Sequence, residues 1–99
     1  MLNINKTLEG NQLTVAVEGR LDTLTSPRLE ETLKQELDGV EKLILDFAEL
    51  YYISSAGLRV LLSAMQRMEQ QGEMVVRNVS SDVMDVLEVT GFVDDLNIE

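Results

Sequence analysis

The stretch Tyr52-Ile53-Ser54-Ser55-Ala56-Gly57-Leu58-Arg59-Val60-Leu61-Leu62 decides how this chain is read. From about Leu58, apolar residues recur at three- and four-residue spacing through Leu61, Leu62, Met65 and Met68, which predicts a helix closed by Gly72. Upstream, Leu43-Ile44-Leu45 is a continuous apolar run ending at Asp46-Phe47, as expected of a strand covered on both faces. The serine pair therefore lies between the carboxyl end of a strand and the start of a helix, where sites collect in open α/β sheets. Exposed N–H groups and the helix dipole favour negative charge there, so a phosphate on serine would meet donors without unfolding the domain. The plainer reading is a serine N-cap contributing about 1 kcal/mol, with Ala56 and Gly57 kept small so that the helix can pack on the sheet. The phosphate-binding pattern Gly-x-x-x-x-Gly-Lys is absent.

Outward from this stretch, strands and helices alternate. Leu2, Ile4 and Leu8 share one parity, interrupted by Lys6, and suggest a first strand. Glu9-Gly10-Asn11 is turn chemistry, and Leu13, Val15 and Val17 alternate with Thr14, Ala16 and Glu18 in a half-buried second strand. Ser26-Pro27 predicts a helix start, with serine as cap and proline at the first helical position. Leu29, Leu33 and Leu37 then form its apolar stripe, and Gly39 is its expected stop. After Gly72, Met74-Val75-Val76 reads as a buried strand. Ser80 or Ser81 caps a last helix carrying Val83, Val86 and Leu87 and stopped by Gly91, while Leu96 and Ile98 tuck the tail against the core. The pattern predicts one domain over residues 1–99, an α/β fold with a mixed β-sheet opened by a hairpin and packed with helices.

Composition narrows the chemistry. The 99 residues include 8 basic and 18 acidic side chains, a net charge of −10. Nucleic-acid binding needs basic groups to displace counterions from phosphates, and an anionic membrane would repel this chain, so neither partner is expected. A partner with a basic face would be attracted, although solubility alone also accounts for the charge. There is no histidine and no cysteine. A Ser-His-Asp triad, the familiar zinc sites, disulfides and thiol chemistry are thereby excluded, and neither catalysis, a metal nor a cofactor is expected. No apolar run approaches the ~20 residues that span a bilayer, and the first residues lack a signal-peptide layout, so a cytoplasmic location is expected.

Tyr52 through Leu62 resembles the signature of STAS domains, the family of bacterial anti-sigma-factor antagonists. Gly19-Arg20-Leu21-Asp22, Leu45-Asp46-Phe47, Arg77-Asn78-Val79 and Thr90-Gly91-Phe92 resemble the family pattern in order and spacing, so the similarity runs over nearly the whole chain. The resemblance implies a STAS fold and a protein that binds an anti-sigma factor to release a sigma factor. In that family the serine two positions before the signature glycine is phosphorylated, which here is Ser55. The partners so implied are an anti-sigma factor that is itself a serine kinase and a metal-dependent serine phosphatase that restores binding. Many antagonists carry aspartate before the acceptor, whereas this chain has Ser54.

The expected partner-binding set is Asp22, Ser54, Ser55, Ala56, Gly57 and Arg59. For Asp22 the resemblance implies a place at the kinase-binding edge, and the residue type alone equally suits a turn aspartate holding backbone N–H groups. Arg59 could meet an acidic group on a partner or face water. Tyr51, Tyr52, Met65 and Met68 read as packing, and Asp46 as a carboxylate satisfied by the following loop. The alternative reading is a non-switching STAS subunit of a transporter or a stressosome-like scaffold, in which Ser55 is only a helix cap.

Overall fold

A computed structural model describes residues 2–99. The opening hairpin is the longest feature of the sheet. Strand β1 (Leu2–Glu9) runs antiparallel to β2 (Gln12–Leu21), in register from Leu2 opposite Gly19 to Glu9 opposite Gln12. Along β2, Leu13, Val15 and Val17 are buried and alternate with partly exposed residues, the period-two pattern of a strand packed on one face.

After helix α1 (Ser26–Glu36), strand β3 (Lys42–Asp46) joins β2 in parallel, and β5 (Glu73–Arg77) joins β3 in parallel. Leu43, Ile44, Leu45, Val75 and Val76 are all buried, as expected of central strands. The tail extends the sheet by one bridge, Val76 to Ile98, and Leu96 is buried. Helix α2 (Ser55–Glu69) packs on β5 and α1, and α3 (Ser81–Val89) packs on β4 (Leu50–Ile53) and on a single 3₁₀ turn, Phe92–Asp94. One apolar cluster joins the layers: Leu13, Val15 and Leu45 from the sheet, Leu29 and Leu33 from α1, Leu61 and Met68 from α2, and Val83 and Leu87 from α3.

Strand β4 is absent from the pattern expected of the sequence. It lies beside the far end of β2, in parallel, beyond the point where β3 stops. The register slips between Gly19 and Arg20, and Gly19 adopts φ 106°, a conformation that side chains rarely allow. There β4 advances two residues, Leu50 to Tyr52, against one on β2, so Tyr51 is the extra residue of a bulge. The tyrosines of β4 do not pack as expected: Tyr51 is 61% exposed and Tyr52 40%, because only Leu50 and Ile53 turn toward the core.

The start of α1 also differs by one residue. Thr25, not Ser26, is the flanking residue, and Ser26 lies inside the first turn with its hydroxyl buried and unpartnered. The backbone does the capping: Ser26 N–H donates to the Asp22 carbonyl at 2.9 Å and Arg28 N–H to the Thr25 carbonyl at 3.0 Å. Proline at position 27 has no N–H to satisfy there. The Ser80 cap is found as expected, its hydroxyl accepting Val83 N–H.

Candidate functional site

The parallel pairing of β2 with β4 ends at Leu21 opposite Ile53, and Ser54 N–H donates to the Leu21 carbonyl at 2.8 Å. Two loops therefore leave the sheet side by side: Asp22–Thr25, leading to α1, and Ser54, leading directly into α2. This brings Asp22 to the same end of the sheet as Ser55. The strand feeding the serines is β4 rather than the Leu43–Phe47 run, and the helix begins at Ser55 rather than near Leu58.

The two serines do different work. Ser54 is the N-cap in extended conformation, half-buried, its hydroxyl accepting Gly57 N–H at 3.4 Å, while its carbonyl accepts Leu58 N–H. Ser55 is the first helical residue, exposed, and its hydroxyl has no hydrogen-bond partner among the described residues. Ala56 is partly exposed one step further on.

Gly57 lies beneath this face rather than on it, so it is not placed to touch a partner. An added Cβ would meet Ile53 Cγ1 at 2.8 Å and Leu21 Cγ at 2.9 Å. The absence of a side chain is what lets the first turn of α2 sit against β2 and β4.

Asp22 is a turn anchor. Its Oδ1 accepts N–H bonds from Leu24 and Thr25, each at 3.0 Å. The Thr25 hydroxyl accepts Asp22 N–H at 2.9 Å and donates to the Arg20 carbonyl at 2.7 Å, closing the turn on itself. The Thr25 N–H bond is the main reason that the Asp22 carboxyl is held below the ordinary carboxylate range; partial burial works the other way and is outweighed. Asp22 Oδ2 faces Arg20 Nε at 3.9 Å.

Residue-type reasoning passed over Arg20 and Leu24. The Arg20 guanidinium lies over the Tyr52 ring, 4.3 Å from its centroid, and so ties β2 to the exposed side of β4. Leu24, at the tip of the Asp22–Thr25 turn, is 87% exposed. The Leu-Tyr-Tyr-Ile run of strand-forming residues was the available signal for β4 and for this aromatic platform. Arg59 is exposed and borders a groove of about 330 Å³ between the first turns of α1 and α2, shared with Thr23, Ser26, Glu30 and Ala56.

Asp46, by contrast, is satisfied locally as expected, accepting from Ala48 N–H and Asn78 Nδ2, each at 3.0 Å. Among the described residues no group of three or more acidic side chains is disposed to hold a metal ion. Among the same residues no helix is long and apolar enough to cross a membrane.

Residues 3–99 match the STAS domain family. The chain belongs to that family. BtrV of Bordetella bronchiseptica, a putative anti-sigma factor antagonist by name, is 37% identical over 82 residues, covering 81% of this STAS domain and 71% of BtrV. The anti-sigma-B factor antagonist of Listeria monocytogenes is 30% identical over 97 residues, covering 95% and 84%. Among solved structures, an anti-sigma factor antagonist from Mycobacterium paratuberculosis superposes with a TM-score of 0.89 at 18% identity, covering 99% of this STAS domain and 85% of that chain. The antagonist SpoIIAA superposes at 0.77 unphosphorylated and 0.75 phosphorylated, each at 17% identity over 100% of this STAS domain and 87% and 91% of those chains. These structural likenesses establish the STAS fold, a mixed sheet opened by a hairpin and packed with helices.

Proposed function

We propose that this STAS domain is an anti-sigma-factor antagonist switched at Ser55. In its unmodified form it docks, through the face formed by Asp22, Ser54, Ser55, Ala56 and Arg59, on an anti-sigma factor that is also a serine kinase. The sigma factor held by that partner is thereby released. The kinase then transfers the terminal phosphoryl group of ATP to Ser55 Oγ, the hydroxyl proton leaves, ADP departs, and docking ends. A serine phosphatase carrying its own metal restores the hydroxyl by hydrolysis.

The observation that carries this reading is the division of labour between the serines: the Ser54 hydroxyl caps α2, and the Ser55 hydroxyl is exposed and unengaged among the described residues. A kinase can take up Ser55 without dismantling the helix start. The relatives named anti-sigma-B factor antagonists support the class of partner, and the solved phosphorylated form of SpoIIAA supports a fold that accommodates phosphate. The switch does not need to be large: losing about 1.4 kcal/mol weakens docking tenfold, and desolvating an unpaired dianion in an interface exceeds that.

Mass-spectrometric site mapping after reaction with the anti-sigma-factor kinase that the protein captures tests the reading. Phosphate is expected on Ser55, with labelling abolished in Ser55→Ala and retained in Ser54→Ala. Phosphate confined to Ser54, or partner binding indifferent to Ser55→Asp in a folded variant, would favour a non-switching scaffold.

A further inference from the structure

Of the 8 basic side chains, seven are engaged. Lys6, Arg20, Lys34, Lys42, Arg67 and Arg77 each face a carboxylate within 4.0 Å, and Arg28 donates to the Leu2 carbonyl at 2.6 Å. Arg59 alone has neither an ion pair nor a hydrogen bond among the described residues, in a chain with 18 acidic residues. The neighbouring acids have other contacts. Glu30 borders the same groove but pairs with Lys34 at 3.9 Å, and Asp22 is held by its own turn and by Arg20.

No contact among the described residues of the unmodified protein engages the cation at this position. It lies near the positive end of α2, where the dipole disfavours it, and the first turn of that helix contains no acidic residue. Arg59 stands four residues after Ser55, and side chains at that spacing lie one above the other on a helix face, with Cβ atoms about 5–6 Å apart. A guanidinium reaches across one turn and can grip two phosphate oxygens at once.

We propose that Arg59 is the intramolecular receiver of the Ser55 phosphate. Modification then changes the docking face twice: it adds negative charge at Ser55 and withdraws the unpaired cation beside it. The inference rests on Ser55 as the acceptor, yet it concerns the modified protein by itself and is testable without a kinase.

Phosphoserine is installed at position 55 by semisynthesis, in the parent chain and in Arg59→Gln and Arg59→Lys, and the phosphorus resonance is titrated with pH. The second ionisation of phosphoserine lies ordinarily near 6. It is expected about 0.3 pH units lower in the parent than in Arg59→Gln, the equivalent of a helical ion pair at this spacing. Arg59→Lys should fall between them, and salt should raise the parent value toward that of Arg59→Gln. The acidic groups on the adjoining elements, Asp22 and Glu30, are common to all three proteins and drop out of the comparison. Phosphorylation should also raise the melting temperature more in the parent than in Arg59→Gln. Equal ionisation and equal melting shifts in the two phosphoproteins would overturn the proposal. Failure of the functional reading looks different: the titrations would still separate, while the kinase left Ser55 unmodified.

Discussion

Replacing Gly57 by alanine places a methyl group where the first turn of α2 rests on β2 and β4. The new carbon would stand 2.8 Å from Ile53 Cγ1, 2.9 Å from Leu21 Cγ and 3.0 Å from Leu21 Cδ2. Two of these are stem atoms rather than flexible tips, and both side chains are buried, so neither can swing aside without repacking. Overpacking of this kind costs about 1–3 kcal/mol. Alanine returns up to about 1 kcal/mol through its better helix propensity. The net expectation is a loss of about 1 kcal/mol, or roughly 4–8 °C in melting temperature for a domain of this size.

Urea unfolding measures it directly: the midpoint should fall while the slope, which tracks the surface exposed on unfolding, stays constant. The clash also predicts a coupling. Leu21→Ala removes the obstructing atoms, so it should cost less in the Gly57→Ala background than in the parent protein. Because the strain is relieved by lifting the turn that carries Ser55, phosphorylation should also slow at temperatures where the variant remains folded. A Gly57→Ala protein as stable as the parent, with additive behaviour toward Leu21→Ala, would refute the close-approach reasoning.

Gly72→Ala should be worse, about 3 kcal/mol or more, because its Cβ would overlap the Glu41 carbonyl oxygen, which is backbone and already accepts Glu73 N–H; expression yield and urea melts read this out. Ser54→Ala should cost about 0.5 kcal/mol in urea unfolding, the low end for a cap, since its bond to Gly57 N–H is long at 3.4 Å, whereas Ser55→Ala should change stability by less than that. The depressed Asp22 carboxyl contributes stability that is present above the unfolded carboxylate pKa and is lost as pH falls through the lower folded value. Asp22→Asn should therefore destabilise at neutral pH, with the difference from the parent shrinking in melts taken below the ordinary carboxylate range.

Residues with an intrinsic period announced themselves in the sequence. Leu13, Val15 and Val17 alternate in a strand because one face is buried, and Leu58, Leu61 and Met68 follow the turn of a helix for the same reason. Strand β4 has no such period: of its four residues the outer two are buried and the middle two exposed, so Tyr51 and Tyr52 resembled core. What places them outside is the bulge: β4 advances from Leu50 to Tyr52 while β2 advances only from Gly19 to Arg20, so Tyr51 is the extra residue and both tyrosines fall on the exposed side. The cap of α1 was displaced by a residue for a related reason. Thr25 has its hydroxyl committed to Asp22 and Arg20, and this commitment is visible only once the turn has closed. At the site, the motif pointed to the positions of Ser55 at a helix start and Asp22 in the turn after β2, but the burial of Gly57 and the isolation of Arg59 required coordinates.

Turn anchor and docking contact need not compete for Asp22, because its carboxylate has two oxygens with different surroundings. Oδ1 is occupied by the Leu24 and Thr25 N–H groups, and that oxygen shapes the turn. Oδ2 makes a long contact with Arg20 at 3.9 Å, and Arg20 is in turn stacked on Tyr52. One atom thus fixes the loop while the other remains presented on the same end of the sheet as Ser55. The turn that Oδ1 builds also carries Leu24 out into solvent. An exposed leucine, an aromatic ring carrying a cation and a half-free carboxylate beside an unengaged serine form a surface with apolar and charged features in fixed relation. If Ser55 is the acceptor and Arg59 takes up its phosphate, as proposed, a docking partner would meet that added charge at the same end of the sheet as the Asp22 carboxylate, whose Oδ2 has only its long contact with Arg20.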